Sequence, residues 1–154
     1  MHSKIKKALD DYKLVRSKTY EFLKTLPQEK MTWKPHDLLG TFGMQLRHMT
    51  KSQEAFVEGL KKGTIEFTNK TFAPELETDK SAALKRFKQL DKELAAVVSK
   101  LKPTTKITFV DGVHGTFKVD VVTVLSYLAD HEFYHQGIFT CYGRLAGMGK
   151  FTFM

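Results

Sequence analysis

The stretch Val124-Leu125-Ser126-Tyr127-Leu128-Ala129-Asp130-His131-Glu132-Phe133-Tyr134-His135-Gln136-Gly137-Ile138 decides how the rest of the chain is read. Through it and just beyond, Val124, Leu128, His131, His135, Ile138, Tyr142 and Leu145 step by 4, 3, 4, 3, 4 and 3 residues. That spacing is the inward seam of a long amphipathic helix. Two of its seven positions hold imidazoles. Histidines four apart on a helix lie one turn apart on one face, where they can converge on a single ion. Left without a partner, two buried neutral imidazoles would carry unpaired donors and acceptors at a free-energy cost. A metal ion answers both conditions.

Working back from this helix, Asp120 is its N-cap, and a hairpin precedes it. Lys106-Ile107-Thr108-Phe109-Val110 and Val113-His114-Gly115-Thr116-Phe117-Lys118-Val119 flank Asp111-Gly112. Asp-Gly between alternating segments signals a tight two-strand turn. A third helix runs from a cap at Thr78 or Asp79, with Leu84, Phe87, Leu90, Leu94, Val97, Val98 and Leu101 inward, to the stop at Pro103. A second starts near Gly40–Thr41 and reaches about Lys62, with Gly63 as its C-terminal stop. Its stripe is Phe42, Leu46, Met49, Phe56, Val57 and Leu60, and His48 lies at the stripe's edge among small neighbours such as Ser52 and Ala55. The first helix spans about Ser3 to Leu26 and ends at Pro27. Residues 27–40 read as an ordered loop with one short helical turn, and Thr64 to Glu77 as a long connection. The expected fold is therefore all-α, an antiparallel four-helix bundle in one domain over residues 1–154, with one long crossover and a short β-hairpin before the last helix.

Divalent metals take three or four ligands, so the pair needs a third. Of the four other histidines, His2 stands at the terminus, His36 in a loop and His114 beside the hairpin turn. Only His48 falls on a helix face able to point into a bundle. His48, His131 and His135 are the candidate triad, with solvent completing the sphere. The segment also spells His-Glu-x-x-His, the zinc-protease signature. The 19 residues after His135 contain no Asp, Glu or His to supply that class's third ligand, and the upstream sheet is missing, so a peptidase is not expected. Glu132 then reads as a partner beside the ion or a solvated residue, Tyr134 as a packing residue and Cys141 as a small buried hydrophobe.

Composition excludes several classes. The net charge of +8 invites a nucleic-acid reading, but lysines alternate with acids, as in Lys85 to Glu93, which is the pattern of solvated helix faces. No nucleic-acid partner is expected, and the positive field would at most attract small anions. No apolar run approaches the roughly 18–20 residues of a membrane span. Met1 to Lys7 is charged without a following apolar stretch, so no signal peptide is expected. A single cysteine excludes an internal disulfide, and the chain reads as cytoplasmic.

Three blocks of the chain resemble the DinB-like superfamily of metalloenzymes, which includes bacillithiol transferases. They are Met31-Thr32-Trp33-Lys34-Pro35 leading into Gln45-Leu46-Arg47-His48-Met49, the hairpin feeding the last helix, and Leu128 to Ile138 followed by Arg144-Leu145-Ala146-Gly147. The resemblance implies an antiparallel four-helix bundle with a three-histidine site for zinc, nickel or a similar ion, its ligands falling on His48, His131 and His135. It also implies homodimers, and relatives that transfer small thiols such as bacillithiol or mycothiol to electrophiles or isomerise thiol-linked substrates. Family members often carry arginine after the second histidine of the pair, where this chain has Gln136, and Arg47 or Arg144 are the available substitutes for holding an anionic substrate. Three functions are thus expected in competition: a thiol S-transferase working through the metal, with Tyr134 and Glu132 as candidates for proton transfer; a non-catalytic metal-binding stress-response module; and a purely structural helical protein.

Overall fold

The computed structural model describes residues 1–67, 73–111 and 115–149. Its elements in chain order are α1 (Ser3–Thr25), α2 (Phe42–Lys62), β1 (Thr64–Glu66), α3 (Glu75–Thr78), α4 (Lys80–Val98), β2 (Lys106–Asp111), β3 (Gly115–Asp120) and α5 (Val121–Leu145). A 3-10 turn, Gln28–Lys30, sits in the loop after α1. The helix ends follow their capping chemistry. Thr41 accepts from the Met44 amide, Asp79 from Ser81 and Ala82, and Asp120 from Thr123. Gly63 closes α2 at φ 83°, a left-handed conformation that glycine adopts without steric cost.

The four long helices form a bundle. α1 and α5 run side by side in one direction, since Val15 faces Gln136 and Phe22 stacks on Phe139. α2 and α4 also share a direction, through Glu54 with Arg86 and Lys61 with Glu93. This pair opposes the first. His48 meets the middle of α5, Phe42 meets Tyr142 near its end, and Lys80 donates to the Leu26 carbonyl. Parallel neighbours α2 and α4 require the long crossover that residues 63–79 provide. Among the described residues, no helix is long and apolar enough to cross a membrane.

The connection is more structured than its sequence suggests. β1 pairs in parallel with β2, Thr64 opposite Thr108 and Glu66 opposite Val110, which makes a three-stranded sheet of order β1-β2-β3. A three-residue strand shows no readable alternation, and its partner lies far along the chain. Ile65 is buried against Gly59, where a Cβ would overlap it. The hairpin itself forms as expected, with Lys106 opposite Asp120 and Phe109 opposite Phe117. Of the expected turn, Asp111 ends β2 and Gly112 lies outside the described residues, as do Val113 and His114.

The core divides in two. Ile5, Leu9, Phe56, Leu60, Leu90, Leu94, Val124 and Leu128 fill one end of the bundle; Phe22, Leu26, Phe42, Leu46, Phe87 and Phe139 fill the other. Between them lies a polar belt. Arg16, 2% exposed, donates from Nη2 to Glu132 Oε2 at 3.0 Å and to Gln53 Oε1 at 3.0 Å, with its guanidinium 4.1 Å from the centre of the Phe87 ring. Burial works against the guanidinium's charge, but Glu132 and its other acidic neighbours outweigh it and the pKa goes up. Thr19 donates to Glu132, and Gln136 donates to Thr19 Oγ1 and the Val15 carbonyl. Gln53, Tyr12 and Tyr20 converge on Asp91.

The apolar seam of α5 holds as far as Tyr142. Leu145, expected inward, is exposed, while Leu125, Glu132, Gln136 and Phe139 are buried. The buried face is wider than a two-position seam and centred to one side of it, because α5 packs against α1 as well as α2. Tyr134 is exposed rather than a packing residue, and Cys141 is exposed rather than buried, for the same reason.

Removing one member of a buried ion pair strands the other's charge, at about 3–5 kcal/mol. Glu132→Ala is therefore expected to lower unfolding stability in urea by that order. The double change Arg16→Met with Glu132→Leu removes both charges of the pair and is expected to recover part of the loss, since Asp91 still loses a nearby cation.

Candidate metal centre

The triad assembles at the level of the polar belt. α2 brings His48 to the bundle surface two turns from its start, and α5 brings His131 and His135 from one face, one turn apart. His48 Nε2 lies 3.1 Å from His131 Nε2, and His135 Nε2 lies 3.2 Å from the same atom. One ligand atom from each ring falls within 4.8 Å of the other two. Among the described residues this is the cluster of metal-ligating type, and it is the trio expected from the sequence. Of the remaining histidines, His2 caps α1 and His36 accepts from the Leu38 amide in the loop, so neither joins it.

Hydrogen bonding alone does not account for this packing. A ring nitrogen has one in-plane site, holding either a proton or a lone pair, so His131 Nε2 can complete only one of its two close approaches as a hydrogen bond. A tetrahedral ion with Zn–N bonds of 2.0–2.1 Å separates its nitrogens by about 3.3 Å. The separations of 3.1 and 3.2 Å match that value, and with all three ligand atoms within 4.8 Å of one another a single cation can be shared by the rings.

The electrostatics favour neutral, ligand-ready rings. His131 is pushed down to about 4, first by burial, then by His48 and Arg16. His135 is pushed down to about 3, again mainly by burial, with His131 and His48 adding to it. His48 is also lowered, by burial and then by Arg47. Burial is graded across the site: His48 is exposed, His131 half-buried and His135 buried. One edge of the cluster thus faces solvent. His135 Nδ1 is buried with no protein partner.

The neighbours sort into those at the site and those behind it. Tyr134 lies at the mouth, its ring edge-on to His135 at 5.2 Å between centres. Met44, one turn before His48, is exposed beside it. Glu132 turns away from the triad into the belt, where Arg16 holds it. Gln136 does the same, facing α1, so the residue after the second histidine is a packing element here. Arg47 is ion-paired with Glu77 of α3. That turn docks closely on α2, where a Cβ at Gly43 would overlap the Glu77 carbonyl. Sequence reading missed the belt residues Arg16, Thr19, Gln53 and Asp91. A signal existed in α1, where the apolar stripe breaks between Val15 and Phe22.

The comparisons agree with this architecture. Among curated proteins none matches the chain. A DinB-like protein of Bacillus subtilis, YjoA, superposes with a TM-score of 0.71 at 21% identity, over 96% of both chains. YfiT, also from Bacillus subtilis, superposes with a TM-score of 0.75 at 15% identity, over 96% of this chain and 90% of its own. It is described as a probable metal-dependent hydrolase with an unusual four-helix bundle topology. At these identities the likeness is one of fold. The DinB family model, however, matches residues 1–153 of the chain itself, and the protein belongs to the DinB family.

Proposed function

We propose that the protein is a metal-dependent enzyme in which His48, His131 and His135 hold a divalent ion, zinc or nickel, and that it transfers small thiols to electrophiles. The observation that carries the metal reading is the double approach to His131 Nε2, which one hydrogen bond cannot satisfy and a shared cation can. When bound, such an ion supplies Lewis acidity that lowers the pKa of a thiol and keeps it as the nucleophilic thiolate. The chain's own residues supply the rest. Three protein ligands, one of them exposed, leave an open side, the arrangement of catalytic rather than structural sites. Glu132 cannot compete for the open side because Arg16 and Thr19 occupy its oxygens. Tyr134, exposed with its ring beside His135, is the hydroxyl this reading assigns to proton exchange.

A second reading is a non-catalytic metal-binding module. In its favour, no carboxylate or cysteine joins the triad among the described residues. The two separate in one assay. The zinc-loaded protein is incubated with a panel of small thiols and with alkyl-halide and epoxide electrophiles, and thioether formation is followed. Turnover above the metal-free protein supports the enzyme; metal retention without turnover on any pair supports the module.

Metal content is the first expectation to check. Purified protein should hold one ion per chain by elemental analysis. Each histidine-to-alanine change should lower zinc affinity at least tenfold, and the triple change should abolish binding while the helical circular dichroism persists. Unchanged stoichiometry in the triple variant overturns the assignment.

The pH dependence follows from the same rings. In the unfolded chain an imidazole titrates at about 6.5, while in the metal-free fold His131 waits until about 4 and His135 until about 3. Between those limits the unfolded state binds more protons, so stability rises with pH and falls as the solution is acidified. The metal-free protein is expected to lose Tm steadily from pH 6.5 to 4. His131→Gln with His135→Gln should flatten that slope, and calorimetry across acetate and phosphate buffers reads it.

A further inference from the structure

We infer that the α2–α5 edge of the bundle takes a substrate bearing a flat apolar group, seated on an aromatic shelf about one helical turn from the histidines. This rests on the reading of the triad as a metal centre and extends it to the class of substrate.

The shelf is built from three elements. Tyr127 lies one turn before His131 along the same edge of α5, and its ring meets Phe109 of β2 edge-on at 5.6 Å between centres. Phe109 stacks on Phe117 of β3 at 5.4 Å and 6° between planes, and lies 6.4 Å from Phe67, which follows β1. Phe67 is 50% exposed and Tyr127 39%, so two large aromatic side chains are partly exposed to solvent. Residues at i and i+4 on a helix are neighbours, which places the Tyr127 end of the shelf against the triad.

The approach from α2 is lined by small side chains. Ser52 and Ala55 stand one and two turns after His48 on the edge that faces α5. Two of the positions that α2 presents between His48 and the sheet are therefore small. On α2, two neighbouring cations already hold carboxylate partners. Lys51 is 2.6 Å from Glu54, and Arg47 is paired with Glu77 at the opposite end. Apolar walls around a few polar groups are the usual build of a small-molecule site. The aromatic faces reward a stacked ring by contact and burial, and give nothing to a charged or strongly hydrated tail.

The test separates this inference from the metal reading beneath it. Zinc binding is first titrated on the full chain. The zinc-loaded protein is then titrated by calorimetry with acetohydroxamate and with 3-phenylpropanohydroxamate, which share a metal-chelating head and differ in the apolar tail. Burial of the ring should tighten the second by about tenfold or more. In Phe67→Ser with Tyr127→Ser, that preference should fall to about threefold or less while acetohydroxamate affinity is unchanged. Both substituted positions are solvent-facing, and circular dichroism confirms the fold. Equal affinity of the two ligands for the wild-type protein overturns the shelf, as does a preference that survives the double change. A chain that takes up no zinc overturns the metal reading and the shelf with it.

Discussion

The buried pair of Arg16 and Glu132 is the constraint on which the rest of the structure depends. It stands where the two apolar halves of the bundle meet, and it joins α1 to α5 directly beside His131. Charge taken from water into a core must be matched by geometry, because a slip of one residue strands it. Helix registers set by apolar contacts alone can drift, since one leucine packs much like another. With Glu132 held by Arg16 and Thr19, and Gln136 held by Val15 and Thr19, sliding α5 breaks several hydrogen bonds together. Gln53 closes the same network from α2, so both histidine-bearing helices are registered against one guanidinium. The approach of His48 and His135 to His131, at 3.1 and 3.2 Å, follows from that registration.

The belt also explains why the triad sits at the edge of the bundle rather than in its axis. The central positions at this level are filled by Arg16, Thr19, Gln53, Glu132 and Gln136, all buried. The histidines occupy the neighbouring face of α5 and the outer edge of α2. That placement yields the gradient from exposed His48 to buried His135. A site in the bundle axis would be closed on every side; one on the α2–α5 edge stays open to solvent and to small molecules.

Much of this was legible in the chain, and for identifiable reasons. The capping residues Thr41, Asp79 and Asp120 and the stop at Gly63 carry local chemistry that does not depend on the rest of the fold, so the helix limits could be read closely. The triad was legible because two imidazoles in an apolar seam have few bland explanations, and His48 followed as the histidine on a suitable helix face. What escaped reading was set by distant partners. β1 has three residues and owes its existence to Phe109 and Thr108 far along the chain. Leu145 and Cys141 were misplaced because periodicity gives the spacing of a face but not how many neighbours it packs against. Arg16 sits in the gap of the α1 stripe, and its buried partner Glu132 lies on another helix more than a hundred residues away.

The separation of Glu132 from the triad bears on what the site can do. Were that carboxylate turned to the histidines, it would supply a negative charge to the donor set and offset part of the ion's. With Arg16 neutralising it in the belt, the donor set is three neutral imidazoles, each held neutral by burial and its neighbours. A divalent ion in such a set keeps its whole formal charge, and part of that set is shielded from water, where electrostatic interactions are stronger than in bulk. An anionic ligand is the kind of group this balance favours. The buried ion pair therefore contributes twice: it sets the spacing of the ligands, and it keeps the nearest negative charge away from them.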